Sequence, residues 1–184
     1  MNVFQTLYLT HFSTPKEERL LYRFVKKTKP RIILECGIQR GVRMMNLLRL
    51  VGTYGKTESE EGPLYVCTDP FEGRTEEDGP GLSLRKTHKL LSQTGVRHRC
   101  IPASVEMGIT QISRSIKDID LAILATPHFD WLATKGALLA VALREDAAVF
   151  TKFPGQELKR VRLPEFRRMI DTAVESDRKR RKAA

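Results

Sequence analysis

Five short apolar runs, RIILEC (31–36), LYVCT (64–68), RHRCIPA (97–103), IDLAILA (119–125) and AAVFTKF (147–153), alternate along the chain with stretches whose apolar residues recur at helical spacing. Continuous runs rich in branched residues predict strands buried on both faces. IDLAILA carries this signal most cleanly, and RHRCIPA, interrupted by basic residues, most weakly. KEERLLYRFVKKTK places Leu20, Leu21, Phe24 and Val25 on one stripe, opened by Ser13, Thr14 and Pro15 and stopped by Pro30. Further helices are predicted over VRMMNLLRLV, over SLRKTHKLLSQTG up to Gly95, and from Phe129 to Leu143. EMGITQISRSIK turns Met107, Ile109, Ile112 and Ile116 inward, and the closing helix PEFRRMIDTAVESDRKRRKA turns Phe166, Met169, Ile170, Ala173 and Val174 inward. Segments 53–63 and 71–81 are polar and aperiodic and read as loops, and the first twelve residues form an apolar lead without an assigned element.

Strands separated by helices require right-handed crossovers, which build a parallel sheet with helices on both faces. The fold class is therefore α/β. Ligands of such sheets bind beyond the carboxyl ends of the strands, where strand order reverses. That rule selects Glu35 to Gly41, Asp69 to Glu72, Ala103 to Glu106, Ala125 to His128 and Lys152 to Gly155 as the segments to inspect.

With 184 residues the chain suits one core. Residues 1–155 form the α/β domain and 156–184 a basic helix packed on it or extending from it. The longest apolar stretch, Gly136 to Leu143, is far shorter than the roughly 20 residues a spanning helix needs, so no membrane role is expected. The opening MNVFQTLYLTHF lacks a positively charged leader, and a cytoplasmic location is expected. Net charge is +10, and half of the excess lies in residues 156–184. The run Arg178 to Lys182 suits non-specific contact with nucleic acid or, equally, a solvated helix end. Cys36, Cys67 and Cys100 lie 31 and 33 residues apart, a spacing that fits neither a zinc motif nor a disulfide framework, and they read as small buried hydrophobes.

The turn after the first strand, ILECGIQRG, brings glycines to positions 37 and 41. A dinucleotide fingerprint needs a glycine where Gln39 stands, and a phosphate loop needs Lys-Ser/Thr where Val42 and Arg43 stand. Glu35, Gly37 and Gly41 in the pattern E-x-G-x-x-x-G, with Asp69 in DPFEG ending the second strand, resemble the class I S-adenosylmethionine-dependent methyltransferases, in particular their small-molecule O-methyltransferase-like branch. The resemblance runs from about residue 15 to 155. It implies a doubly wound, mainly parallel Rossmann-like sheet in the order 3-2-1-4-5, with S-adenosylmethionine as cofactor. It further implies cofactor-binding roles for Glu35, Gly37, Gly41, Asp69 and Ser104, the last at a position where the family often has an acid that Glu106 could replace. A carboxylate at Asp69 can accept the ribose hydroxyls, while capping of a neighbouring turn is the structural alternative. Only LKRVRL stands where the family adds strands six and seven, so that hairpin is expected to be reduced or absent. A shortened sheet leaves an edge that a homodimer could cover.

At the end of the fourth strand, DLAILATPHFDW keeps Asp120 and His128 but has Ala125 where metal-dependent members carry an aspartate, so a metal-independent reaction is expected. His128 is a candidate general base, and Lys152 is similar to the strand-five lysine of RNA 2'-O-methyltransferases, although that set also needs the missing aspartate. Two functions follow. One is a methyltransferase acting on a small molecule or an RNA. The other is a catalytically inactive protein of the same fold, binding partners and associated with nucleic acid through its tail.

Overall fold

The computed structural model describes residues 3–54 and 62–183. A short helix α1 (Val3–Leu7) and one π-helical turn (Tyr8–Phe12) lead into α2 (Glu18–Thr28) and β1 (Ile32–Cys36). There follow α3 (Val42–Val51), β2 (Leu64–Asp69), a 3-10 turn (Phe71–Gly73), α4 (Leu84–Ser92) and β3 (Arg97–Pro102). The second half comprises α5 (Val105–Ser115), β4 (Ile119–Leu124), α6 (Trp131–Ala142), β5 (Leu143–Thr151), β6 (Lys159–Arg162) and α7 (Leu163–Ala183). The strands form one sheet in the order β3-β2-β1-β4-β5-β6. The first five are parallel in the expected 3-2-1-4-5 order, and β6 is antiparallel to β5.

Alternation along the strands divides the core in two. Ile33, Tyr65, Leu121 and Phe150 face α2, α3 and α4. Leu34, Val66, Ala122 and Val149 face α5, α6 and α7. Burial of both faces explains why these strands read as unbroken apolar runs. Gly136 lets α6 approach α7, since a Cβ there would lie 2.7 Å from Ile170 Cγ1.

The structure departs from the sequence pattern in several places. LKRVRL supplies β6, a short strand whose pattern is weak because only Val161 is buried. Its exposed Lys159, Arg160 and Arg162 guard the sheet edge. On α2 the buried stripe is Leu21, Tyr22 and Val25, while Leu20 faces outward. Met107 is exposed because Ser104 caps α5 so that Gly108, Ile109 and Ile112 point inward. Val174 is exposed as well, since the inward face of α7 runs through Phe166, Ile170 and Ala173. β5 begins at Leu143 rather than near 147, and the apolar lead is helical. Most of the 53–63 loop falls outside the described residues.

A buried polar chain fastens the first strand to the helices. Arg43 Nε donates to Glu35 Oε1 at 2.8 Å, and its Nη2 donates to the Gly37 carbonyl at 3.0 Å. Tyr65 donates to Glu35 Oε2 at 2.6 Å, and Tyr22 donates to Glu18 Oε2 at 2.6 Å. Burial works against the charge of Arg43, yet the carboxylates of Glu35 and Glu18 outweigh it and hold the guanidinium pKa above its usual value. Burial and then Glu35 push the Tyr65 phenol upward, so it stays a donor. Removing one member of a buried ion pair leaves the other without compensation and costs about 3–5 kcal/mol. Glu35→Ala is therefore expected to lower Tm by roughly 10 °C for a domain of this size, measured by thermal denaturation. A Tm within about 2 °C of the parent would show that Arg43 finds compensation elsewhere.

Candidate functional site

The order β3-β2-β1-β4 reverses direction of winding between β1 and β4, so the carboxyl ends of these strands open a crevice. The turn from β1 into α3 is held in shape by two close approaches. Gly37 (φ 82°) would place a Cβ 2.6 Å from the Ala125 carbonyl oxygen, and Gly41 (φ 74°) would place one 2.5 Å from Leu82 Cδ1. Both positions thus require glycine for their left-handed backbone and for the neighbour that meets them. Gln39 also has positive φ, and its carbonyl accepts from Leu82 N at 2.9 Å.

Asp69, at the end of β2, is fully buried and organises this turn. Its Oδ2 accepts from Ile38 N at 3.0 Å and Gln39 N at 3.4 Å, and its Oδ1 accepts from Phe71 N at 2.9 Å. The same Oδ2 is paired with Arg74 Nη2. Arg74 is further held by the Asp78 carbonyl at 3.2 Å and lies flat on Gly81, where a Cβ would come within 2.1 Å of its Nε. That Nε is buried without a hydrogen-bond partner. A carboxylate offers about four acceptor positions. Here Oδ2 is shared by two backbone N–H groups and Arg74, while Oδ1 carries one backbone N–H.

Beside this pair lies a cavity of about 530 Å³, walled by Gly37 and Asp69, by Ala103 and Ser104 after β3, and by Thr126 and His128 after β4. Its size falls within the range of small-molecule sites. Ser104 serves as the α5 cap, accepting from Met107 N at 3.4 Å. Glu106 accepts from Thr134 Oγ1 at 2.9 Å and so ties α5 to α6. His128 keeps its ring half exposed at the rim, with Nε2 3.7 Å from Glu77 Oε2, while its carbonyl accepts from Thr126 and from Trp131 Nε1.

Of the residues selected from the sequence, Gly37, Asp69, Ser104 and His128 meet around the cavity. Glu35 and Gly41 stand behind it, the first in the buried polar chain and the second at the start of α3. Lys152 turns away from the cavity to pair with Glu17. Ala125 contributes backbone, its N donating to the Cys36 carbonyl at 3.1 Å. Thr126, within the selected segment after β4, also lines the wall, and Arg74 completes it without a signal in the sequence, because it stands in a loop of no periodicity.

No protein-family model matches the chain, and no curated protein matches it. Solved structures do. The O-methyltransferase from Bacillus cereus, in complex with S-adenosylhomocysteine, superposes with a TM-score of 0.54 at 15% identity, over 80% of this chain and 64% of that one. TomG from Streptomyces achromogenes, an O-methyltransferase involved in tomaymycin synthesis and in complex with S-adenosylmethionine, gives 0.51 at 14% identity, over 82% of this chain and 66% of that one. The chain thus spans slightly less than two thirds of either structure. Sheet order, glycine turn and strand-end cavity together give it the fold of the class I O-methyltransferases.

Proposed function

We propose that the protein is a methyltransferase that binds S-adenosylmethionine in the cavity at the carboxyl ends of β1 to β4 and acts, without a metal, on a small-molecule acceptor. The observation that carries this reading is the cavity of about 530 Å³ at the point of strand reversal, with a carboxylate, Asp69, ending β2 on its wall. The cofactor would supply an electrophilic methyl group on a sulfonium. Asp69 would accept from the ribose hydroxyls once Arg74 has withdrawn, its backbone partners remaining in place. The glycine turn at Gly37 would leave room for the ligand, and Ala103 and Ser104 would border the adenine. His128, at the rim, would take the acceptor proton. Positioning supplies much of the rate in such a displacement, so the base is an aid and not the whole of catalysis. Lys152, paired with Glu17, is not part of this set.

The acceptor arm of the reading draws on TomG and its involvement in tomaymycin synthesis. The competing reading, a non-catalytic protein of this fold, is favoured by the Asp69–Arg74 pair, which engages the carboxylate within the protein. Titration calorimetry with S-adenosylhomocysteine separates the two. The parent is expected to bind. Asp69→Asn is expected to bind roughly 10- to 100-fold more weakly, as the loss of charge-assisted hydrogen bonds dictates. Arg74→Ala is expected to bind more tightly than the parent, because it vacates the carboxylate. Equal affinities for the parent and Asp69→Asn would make Asp69 a structural cap, and no binding by any of the three would leave the non-catalytic reading.

Nucleic-acid binding through Arg178 to Lys182 is a separate expectation, supported by the exposure of every residue of that run, in which Arg181 pairs with Asp177 at 2.9 Å. Fluorescence anisotropy with labelled RNA and labelled duplex is expected to give sequence-blind binding that weakens with salt. Deleting residues 178–184 should lower the salt slope by about 0.7–0.9 for each phosphate that the tail would otherwise neutralise. No binding at low salt by the intact chain would remove nucleic acid from the list of partners.

A further inference from the structure

Cys67 and Cys100, far apart in sequence, occupy opposed positions of the parallel pair β2 and β3. Their sulfurs are 3.6 Å apart, and the Cys67 thiol donates to Cys100 Sγ. Both side chains lie on the α2–α4 side of the sheet. Neighbouring strands run about 4.7–4.9 Å apart, within the Cα separation of about 4.4–6.8 Å that a disulfide spans. Side-chain rotation therefore suffices to join the sulfurs, and the strands need not part. The two thiols are unequal. Cys67 is fully buried in the second strand, while Cys100 is half-buried on β3, the edge strand. Cys36 lies on the opposite face, buried in the other half of the core.

We propose that Cys67 and Cys100 are a dithiol modification site, oxidised by hydroperoxides to a cross-strand disulfide, with Cys100 as the attacking sulfur and Cys67 as the resolving one. In the first step the Cys100 thiolate attacks one peroxide oxygen. An S–O bond forms, the O–O bond breaks, and the departing hydroxide or alkoxide takes up a proton and leaves as water or alcohol, giving a sulfenic acid. In the second step Cys67 Sγ attacks the sulfenic sulfur, the S–O bond breaks, and the hydroxyl group departs as water with the Cys67 proton. Two thiols and one hydroperoxide become one disulfide and water plus the reduced peroxide fragment. The hydrogen bond from Cys67 holds the Cys100 pKa below its usual value despite opposing burial, and that bond, followed by burial, holds Cys67 well above. The assignment of attacker and resolver follows the same order. Burial likewise pushes the Cys36 thiol up, and Cys36 remains inert. The site lies on strands whose continuations, Asp69 and Ser104, wall the cavity.

The test treats the full chain with hydrogen peroxide, alkylates the remaining thiols with iodoacetamide under denaturing conditions and digests with trypsin. The expected product is one alkylated cysteine, Cys36, and a dithiothreitol-sensitive link between peptides 57–74 and 100–114. In Cys67→Ser, dimedone should label Cys100 several-fold more than in the parent, since the sulfenic acid has no resolving partner. In Cys100→Ser, Cys67 should remain alkylatable after the same treatment. Recovery of all three cysteines alkylated from the peroxide-treated parent would overturn the proposal, as would a link involving Cys36. Equal dimedone labelling of Cys100 in the parent and in Cys67→Ser would overturn the resolving role. The parent digest alone decides the disulfide, so a variant that fails to fold leaves the proposal testable.

Discussion

Glu35 and Arg43 form the contact on which the rest of the first half depends. The carboxylate is at the centre of the sheet with no access to solvent, and the guanidinium reaches it from the first turn of α3. An isolated ion at either place would carry a desolvation penalty of several kcal/mol. Both are satisfied because Tyr65 fills the second carboxylate oxygen and the Gly37 carbonyl takes a further guanidinium donor. One pair therefore fixes the distance between β1 and α3 and the path of the turn between them. Glu18 and Tyr22 extend the chain to α2, so four helical or strand elements, β1, β2, α2 and α3, share a single polar joint.

The glycine turn fixed in this way is then read by Asp69 from the next strand. Its carboxylate gathers the N–H groups of residues 38, 39 and 71, and so sets the ends of β1 and β2 against each other. Structural and ligand-directed roles for such an acid compete for the same lone pairs. Arg74 adds a charged partner to the crowded oxygen, so the carboxylate is engaged within the protein through both of its oxygens. The cavity beside it is bordered by glycine, alanine and proline as well as by Asp69, Arg74 and Glu106.

The strands, the two-faced core and the glycine turn are legible in the sequence because each rests on a local pattern. Branched apolar runs and helical stripes carry their own periodicity, and the glycines at 37 and 41 mark a turn that few residues can make. The strand β6 is not legible, since a four-residue edge strand with one buried side chain has almost no periodicity to show. The outward orientation of Met107 escapes the sequence for a different reason: the cap at Ser104 sets the rotation of α5, and two registers of the same apolar residues look alike in sequence.

The sequence by itself determined the α/β class and a parallel core whose strand ends are the place to look for a ligand, because those follow from apolar periodicity and from the handedness of crossover connections, while the order 3-2-1-4-5 was implied by the family resemblance and is the order observed. Tertiary structure alone decided how the polar residues at those ends are used. Glu35 and Asp69 carry the same carboxylate at two strand ends, yet one closes on Arg43 inside the core and the other organises a turn beside a cavity. Lys152 found Glu17, and Cys67 found Cys100, across separations of 135 and 33 residues. Partners so distant along the chain leave no trace in local spacing, since what joins them is the register of neighbouring strands and the packing of helices over the sheet.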